Sequence, residues 1–382
     1  MDTHVKEEAH HEVYVRLREH LDGLPGGYPP TESGIELRIL RRLFTPEEAR
    51  LAPHLTLLPE ESRVVAYRAG LPVEETARQL ETMAEKGLIF SIHRRGRAPQ
   101  YQASQFAVGI WEWQLNKMDE GFIRDMEEYW PTFFDLDQWA KVPQVRTIPV
   151  NESLDYAPEV MSYEQAETLI GRHDRIAVAP CICRQEQTQI GEGCDKPQET
   201  CLSFDGGADY YVRYRMGRYI SREEAMDIIH LANEAGLVLQ PSNSKKASFI
   251  CACCGCCCGV LRNIKRHPQP ATIISAAFIA ALDETACAGC SVCIERCQMA
   301  ALEMVGGKAG LNPDRCVGCG LCVSTCPTHA LTLERKPKQE QPHVSPDMAR
   351  TMIRLGQSRG YLKPVDLVKM VVKSQADRLL SK

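Results

Sequence analysis

Two runs of cysteine constrain this chain more than any other feature. The first reads Cys287-x-x-Cys290-x-x-Cys293-x-x-x-Cys297, and the second Cys316-x-x-Cys319-x-x-Cys322-x-x-x-Cys326-Pro327. Each position of the first run recurs 29 residues later, as does Ala301-Leu302 in the form of Ala330-Leu331. The segment is therefore an internal duplication. Each half is expected to form a Cys-rich loop, a short helical turn and a short apolar strand. Three thiolates two residues apart can wrap one face of an iron–sulfur cubane, whereas the four thiolates of a structural zinc site typically come as two separated pairs.

Over about residues 284–336 the two runs resemble bacterial-type two-cluster ferredoxin modules. The resemblance implies that the fourth cysteine of each run reaches the other cluster. One [4Fe–4S] cluster is then expected on Cys287, Cys290, Cys293 and Cys326, and the other on Cys316, Cys319, Cys322 and Cys297. The chain departs from the pattern at Gln298, where such modules usually carry proline. Proline there only rigidifies a turn, so the departure bears on cluster potential more than on cluster presence.

All 18 cysteines lie within residues 181–326. Met1 to His11 is charged and lacks the apolar core of a secretory signal, so the cysteines read as a metal framework in a reducing cytoplasm rather than a disulfide scaffold. So many oxidisable sulfurs also suggest an oxygen-poor cell. The longest apolar stretch, Ala271 to Leu282, is too short to span a bilayer and is expected to be a buried helix leading into the duplication.

Ten cysteines lie outside the duplication. Cys181, Cys183, Cys194 and Cys201 suffice in number for one metal centre. Cys251, Cys253, Cys254, Cys256, Cys257 and Cys258 crowd a second segment, where extended backbone would put Cys251 and Cys253 on one face and Cys254, Cys256 and Cys258 on the other. Two centres, or one large cluster drawing on both segments, are feasible. The chemistry is open between a third iron–sulfur centre, structural zinc and metal-free redox thiols. Arg184, next to Cys183, reads as a surface or salt-bridge residue that could also stabilise thiolate charge.

Cys181-x-Cys183-Arg184, then Cys194, then Cys201-Leu-x-Phe204, then a strand ending in the Cys253–Cys258 run together resemble a family of anaerobe iron–sulfur proteins, the 4Fe-4S dicluster ferredoxin-domain proteins. The resemblance spans about residues 145–336 and implies a Cys-rich region joined to a C-terminal two-cluster ferredoxin. Cys253-Cys254-Gly255 and Cys257-Cys258-Gly259 are more distantly similar to the Cys-Cys-Gly motifs of heterodisulfide reductase subunits, whose wide spacing between motifs is missing here.

A length of 382 residues suggests two or three domains of a multidomain α+β protein. Helical periodicity from Gly34, a Thr45-Pro46-Glu47-Glu48 start, a helix from Val73 to Lys86 closed by Gly87, and strands over 88–92 and 101–108 look like a winged helix, with His93 to Arg97 as the wing. Glu74, Glu75, Glu81 and Glu85 on the would-be recognition helix repel phosphates and argue against nucleic acid, as does a net charge of −5. Aromatics from Trp111 to Trp139 read as core. A helix is expected over Ser162 to His173. In the tail Met352, Leu355, Leu362, Val365 and Val368 are expected to pack inward. The division is a winged-helix-like domain over 1–140, a Cys-rich α/β domain over 141–270, a ferredoxin-like domain over 271–336 and a helical tail over 337–382.

No dinucleotide or phosphate-binding loop is visible, and no nucleophile–base pair outside the cysteines. The expected function is intracellular electron transfer with a partner redox protein, as one component of an oxidoreductase system. The alternatives are an oxidoreductase with substrate at the central cysteines, and a redox-sensing regulator.

Overall fold

Capping and apolar spacing lay out the first of the two units into which the chain divides. In the computed structural model, which describes residues 2–156 and 160–381, these units are Met1–Phe134 with Met352–Lys382, and Asp135–Thr351. The first contains α1 (Asp2–Asp22), α2 (Ile35–Leu43), α3 (Pro46–Leu51), β1 (Glu60–Glu61), α4 (Ser62–Ala69), α5 (Val73–Lys86), β2 (Phe90–Ile92), β3 (Gln100–Gln102) and α6 (Glu120–Phe133). Helix α3 opens on a reciprocal cap, with Thr45 Oγ1 accepting from Glu48 N–H and the Glu48 carboxylate accepting from Thr45 N–H. Leu80 and Met83 of α5 are buried, and Gly87 ends the helix at φ 82°. The strands form an antiparallel sheet with β3 in the middle.

The strand expected to reach Val108 stops at Gln102, because the chain turns inward there to give Phe106 and Ile110 to the core. Phe106 packs on Tyr28 at 4.6 Å and on Phe133 at 5.6 Å, while Trp111 meets Trp130 edge-on at 5.0 Å.

The C-terminal helix Pro364–Leu380 belongs to this unit and docks through its polar side. Arg68 of α4 donates to Glu60 at 2.5 Å and to Asp377 at 2.5 Å, and Ser374 Oγ donates to Glu60 at 2.5 Å. Arg378 adds a bond to the Pro59 carbonyl. This polar docking turns the apolar stripe outward, so Val365 and Val368 are 54% and 61% exposed, contrary to expectation, while Leu355 is buried. Removing one partner of such a buried ion cluster costs about 3–5 kcal/mol. Arg68→Ala is thus expected to lower the denaturant midpoint of the tryptophan fluorescence transition, three of the four tryptophans lying in this unit. Burial alone would raise the Glu60 carboxyl, but its bonds from Arg68 and Ser374 hold it below the ordinary range. Its contribution is therefore present above the unfolded carboxylate pKa and fades as pH falls through the lower folded value. Arg68→Ala should flatten that acid limb.

The second unit runs through α7 (Leu136–Lys141), α8 (Ala166–Gly171), β4 (Ile176–Pro180), α9 (Ile182–Gln189), β5 (Glu199–Phe204), α10 (Gly206–Arg213), β6 (Arg218–Ile220), α11 (Arg222–Glu234), β7 (Val238–Pro241), β8 (Phe249–Cys253), α12 (Gly259–Arg266) and α13 (Pro270–Ile273). It continues through β9 (Phe278–Leu282), α14 (Val292–Arg296), β10 (Leu302–Val305), β11 (Lys308–Leu311) and β12 (Leu331–Arg335). Strands β6-β4-β5-β8-β7 make one antiparallel sheet. The helix expected over Ser162 to His173 is broken into a turn at Ser162–Glu164 and α8.

The duplication folds as two ladders, β10 with β11 and β9 with β12. Leu302 and Leu331, one repeat apart, begin β10 and β12 and are both buried. The apolar stretch Ala271 to Leu282 is not a helix: after the single turn of α13 it becomes β9. A short apolar run fits a buried helix or a buried strand equally well by periodicity. Pairing with β12 across five residues decides it, and puts Phe278 and Ala280 in the module's core.

Candidate metal centres

The duplication holds two small hollows of similar size, each with room of about 20 Å³. Cys287, Cys290, Cys293 and Cys326 line the first, and Cys297, Cys316, Cys319 and Cys322 the second. Each hollow thus takes three cysteines from one run and the last cysteine from the other. Backbone amides point at the sulfurs: Ala309 N–H donates to Cys287 Sγ at 3.4 Å, Ala301 N–H to Cys297 Sγ at 3.2 Å and Ala280 N–H to Cys316 Sγ at 3.3 Å. Burial pushes the Cys293, Cys316 and Cys322 thiols up, and Cys319 up to about 12. Burial would raise Cys326 as well, but the amides of Leu331, Thr328 and Ala330 outweigh it and hold that thiol below its ordinary range. Thiolate donors, amide donors to sulfur and an enclosed space suit an iron–sulfur cluster. The first hollow reaches the surface at Cys290, which is exposed.

The ten central cysteines separate into two groups, and not along the line that sequence order suggests. Cys194 does not join Cys181, Cys183 and Cys201. It joins Cys254, Cys256 and Cys257, and these four sulfurs all lie within 4.8 Å of one another. Their nearest separations are 3.6 Å (Cys257–Cys194), 3.7 Å (Cys257–Cys256) and 3.9 Å (Cys194–Cys254). The backbone supplies the reason. After β8 the chain leaves the sheet and turns, Cys258 N–H closing on the Cys254 carbonyl at 3.2 Å, so the alternation of an extended strand no longer applies.

Cys258, expected on the face of Cys254 and Cys256, goes to the other group. Cys201 lies directly opposite Cys251 across the β5–β8 ladder, and Cys253 follows Cys251 on the same face. Cys181 and Cys183 sit at the start of α9, and Cys258 at the N-cap of α12. Thiol hydrogen bonds string these six together in the order Cys181, Cys183, Cys258, Cys253, Cys251, Cys201. These bonds hold Cys181, Cys251 and Cys258 low and push Cys183 and Cys253 high.

Two residues tie the groups together. Arg184 is not a surface residue but fully buried. Its guanidinium donates to the Ala252 carbonyl at 3.1 Å, to Thr200 Oγ1 and to Cys254 Sγ at 4.0 Å. The Cys181, Cys253 and Cys254 thiolates raise its pKa further, more than offsetting burial. Among the described residues no carboxylate pairs with it. Gln298, the departure from the ferredoxin pattern, accepts a 2.8 Å bond on Oε1 from Gly255 N–H, between Cys254 and Cys256. A side chain at 255 would collide with the Gln298 carbonyl. The residue following Cys297 is therefore clamped to the four-cysteine turn, a contact that proline could not make.

Among known protein families, the 4Fe-4S binding domain matches residues 309–332, which include Cys316, Cys319, Cys322 and Cys326. No curated protein and no solved structure matches the chain. The chain thus contains a 4Fe-4S binding domain of ferredoxin type, and no helix among the described residues is long and apolar enough to cross a membrane.

The clamp is testable. Gln298→Ala leaves the Gly255 amide without its acceptor and is expected to cost about 1–3 kcal/mol. Gly255→Ala should cost more, because the Gln298 carbonyl must move. Both should appear as lowered thermal midpoints of the anaerobic protein, in that order. Unchanged midpoints would show that the contact holds nothing.

Proposed function

We propose that this protein transfers electrons through two [4Fe–4S] clusters in the duplicated module, with a partner redox protein at the other end of the transfer. The observation carrying this reading is the sorting of the eight cysteines into two enclosed quartets, three plus one in each. When bound, such clusters accept and release single electrons without large rearrangement of their ligands. The chain's part is to hold the thiolates, exclude water and set potentials. The amides of Ala280, Ala301 and Ala309 stabilise added negative charge at the sulfurs and so favour the reduced state.

The quartet with exposed Cys290 is the natural point of exchange. Val292, Met304 and Val305 lie on the surface of the same half of the module, offering an apolar patch to a partner. The other quartet adjoins the central domain through Gln298. We read the protein as cytoplasmic and the first unit as winged-helix-like. Exposed Glu74, Glu75 and Glu85 on α5 favour protein docking over nucleic acid for that unit.

The four-cysteine turn is proposed to hold one metal ion. A tetrahedral ion with metal–sulfur bonds of about 2.3 Å sets its sulfurs about 3.8 Å apart; three of the six separations are 3.6, 3.7 and 3.9 Å, and all lie within 4.8 Å. That spacing suits a single zinc or iron.

Full-length protein purified without oxygen should contain about eight irons with matching sulfide from the module. Cys293→Ser should reduce cubane iron, and Cys194→Ser should remove one ion and no sulfide. Iron without sulfide, or zinc in place of the module's iron, would contradict the proposal. Arg184→Gln removes a positive charge beside Cys254. If the single ion is iron, its reduction potential should fall; if zinc, occupancy should fall instead.

A further inference from the structure

We propose that Cys181, Cys183, Cys201, Cys251, Cys253 and Cys258 hold a second central metal centre, a polynuclear one with at least two thiophilic metal ions. It is separate from the single-ion site at Cys194, Cys254, Cys256 and Cys257 and independent of whether the module carries electrons.

Three features support a centre of this kind. The first is ligand number. One tetrahedral ion takes four thiolates, so six leave two buried sulfurs without a role unless metals share them. The second is spacing. The four-cysteine set forms a tight knot, its sulfurs all within 4.8 Å of one another, whereas the six are gathered from the start of α9, the β5–β8 ladder and the start of α12 and are linked neighbour to neighbour, with Cys181 also facing Cys251 and Cys251 facing Cys258. Six ligands gathered from three elements in this way suit a body larger than one ion. The third is charge. Six thiolates beside one guanidinium are far from balanced, and a single divalent ion leaves four negative charges. Two divalent ions leave two, one of which Arg184 meets. Thiolate donors select zinc, copper(I) or iron–sulfur among the metals available.

The surroundings also have donors to spare. Arg184 Nε and Gln240 Nε2 are buried and have no hydrogen-bond partner. Gln240 lies directly opposite Cys251 across the β7–β8 ladder, and its Oε1 is 3.9 Å from Cys258 Sγ. Its residue is 1% exposed and that of Arg184 is 0% exposed. Buried donors left unpaired are costly and ordinarily find an acceptor. Bridging sulfide or thiolate in a polynuclear centre supplies acceptors at that position, and donors of this type tune such centres.

The experiment counts iron, zinc, copper and acid-labile sulfide in anaerobically purified full-length protein, and in the double variants C183S/C253S and C194S/C257S. The expected result is that C183S/C253S loses two or more metal ions per chain while the module's iron and visible spectrum stay as in the parent. C194S/C257S should lose one ion and keep the polynuclear centre. Loss of the same ions by both variants would mean one shared central site and overturn the proposal. So would no loss from C183S/C253S. If that variant fails to fold, the parent protein still decides. A native mass accounted for by two cubanes and one further ion refutes the fourth centre, as does formation of disulfides among the six thiols in metal-free folded protein as isolated. Absence of cubane iron from the parent would instead count against the electron-transfer reading, leaving the six-thiol result to be judged on its own loss.

Discussion

Thiolates gathered in a confined space repel one another and lose their hydration, and everything in the second unit is arranged around that problem. The 18 cysteines converge on four loci, and bound metal would make such gathering favourable. Burial raises the Cys293, Cys316, Cys319 and Cys322 thiols of the module, and the six central thiols are linked neighbour to neighbour by hydrogen bonds. Arg184, buried and with no carboxylate partner among the described residues, serves as a counter-charge to sulfur.

The scaffold meets this demand with rigid elements rather than loops alone. The antiparallel sheet places Cys201 and Cys251 in register, and the turn beyond β8 sends the next cysteines in another direction. Within six residues, the chain serves two different groups. The duplicated module is joined to that turn by Gln298 and to the C-terminal end of α11 by Arg296, which donates to the carbonyls of Asn233 and Glu234 at 2.7 Å. Arg315 adds a bond to the Lys265 carbonyl at the end of α12. The module is thus built into the central domain, and Gln298, next to Cys297 of its second quartet, bonds the turn that carries Cys254, Cys256 and Cys257.

Much of the site was legible in the sequence, because spacing within a short segment dictates geometry. The three-plus-one sorting of the module's cysteines was expected from the resemblance to two-cluster ferredoxins, and the short apolar strands at Leu302 and Leu331 from the repeat. The grouping of the central ten did not, since it depends on the β5–β8 register and on a turn at Cys254 to Cys258 that strand alternation cannot anticipate. Arg184 was legible as a residue that could stabilise neighbouring thiolates but not as buried, since its burial comes from packing on Ala252, Thr200 and Cys254. Gln298 was visible as a departure, but its partner Gly255 was not. Ala271 to Leu282 was misread for a plainer reason: an apolar run without polar punctuation has no period, and only its partner strand identifies it. Val365 and Val368 face outward because the polar side of their helix binds Glu60 and Arg68, a choice that hydrophobicity alone does not foresee.

The central claim is that the two quartets of the module hold clusters that exchange electrons. It is tested most directly by a redox titration of the anaerobic full-length protein followed by electron paramagnetic resonance. The account predicts two signals from reduced [4Fe–4S] clusters, broadened by spin–spin coupling between two clusters held in one small module. A protein that takes up metal yet gives no cluster signal at any potential would contradict it.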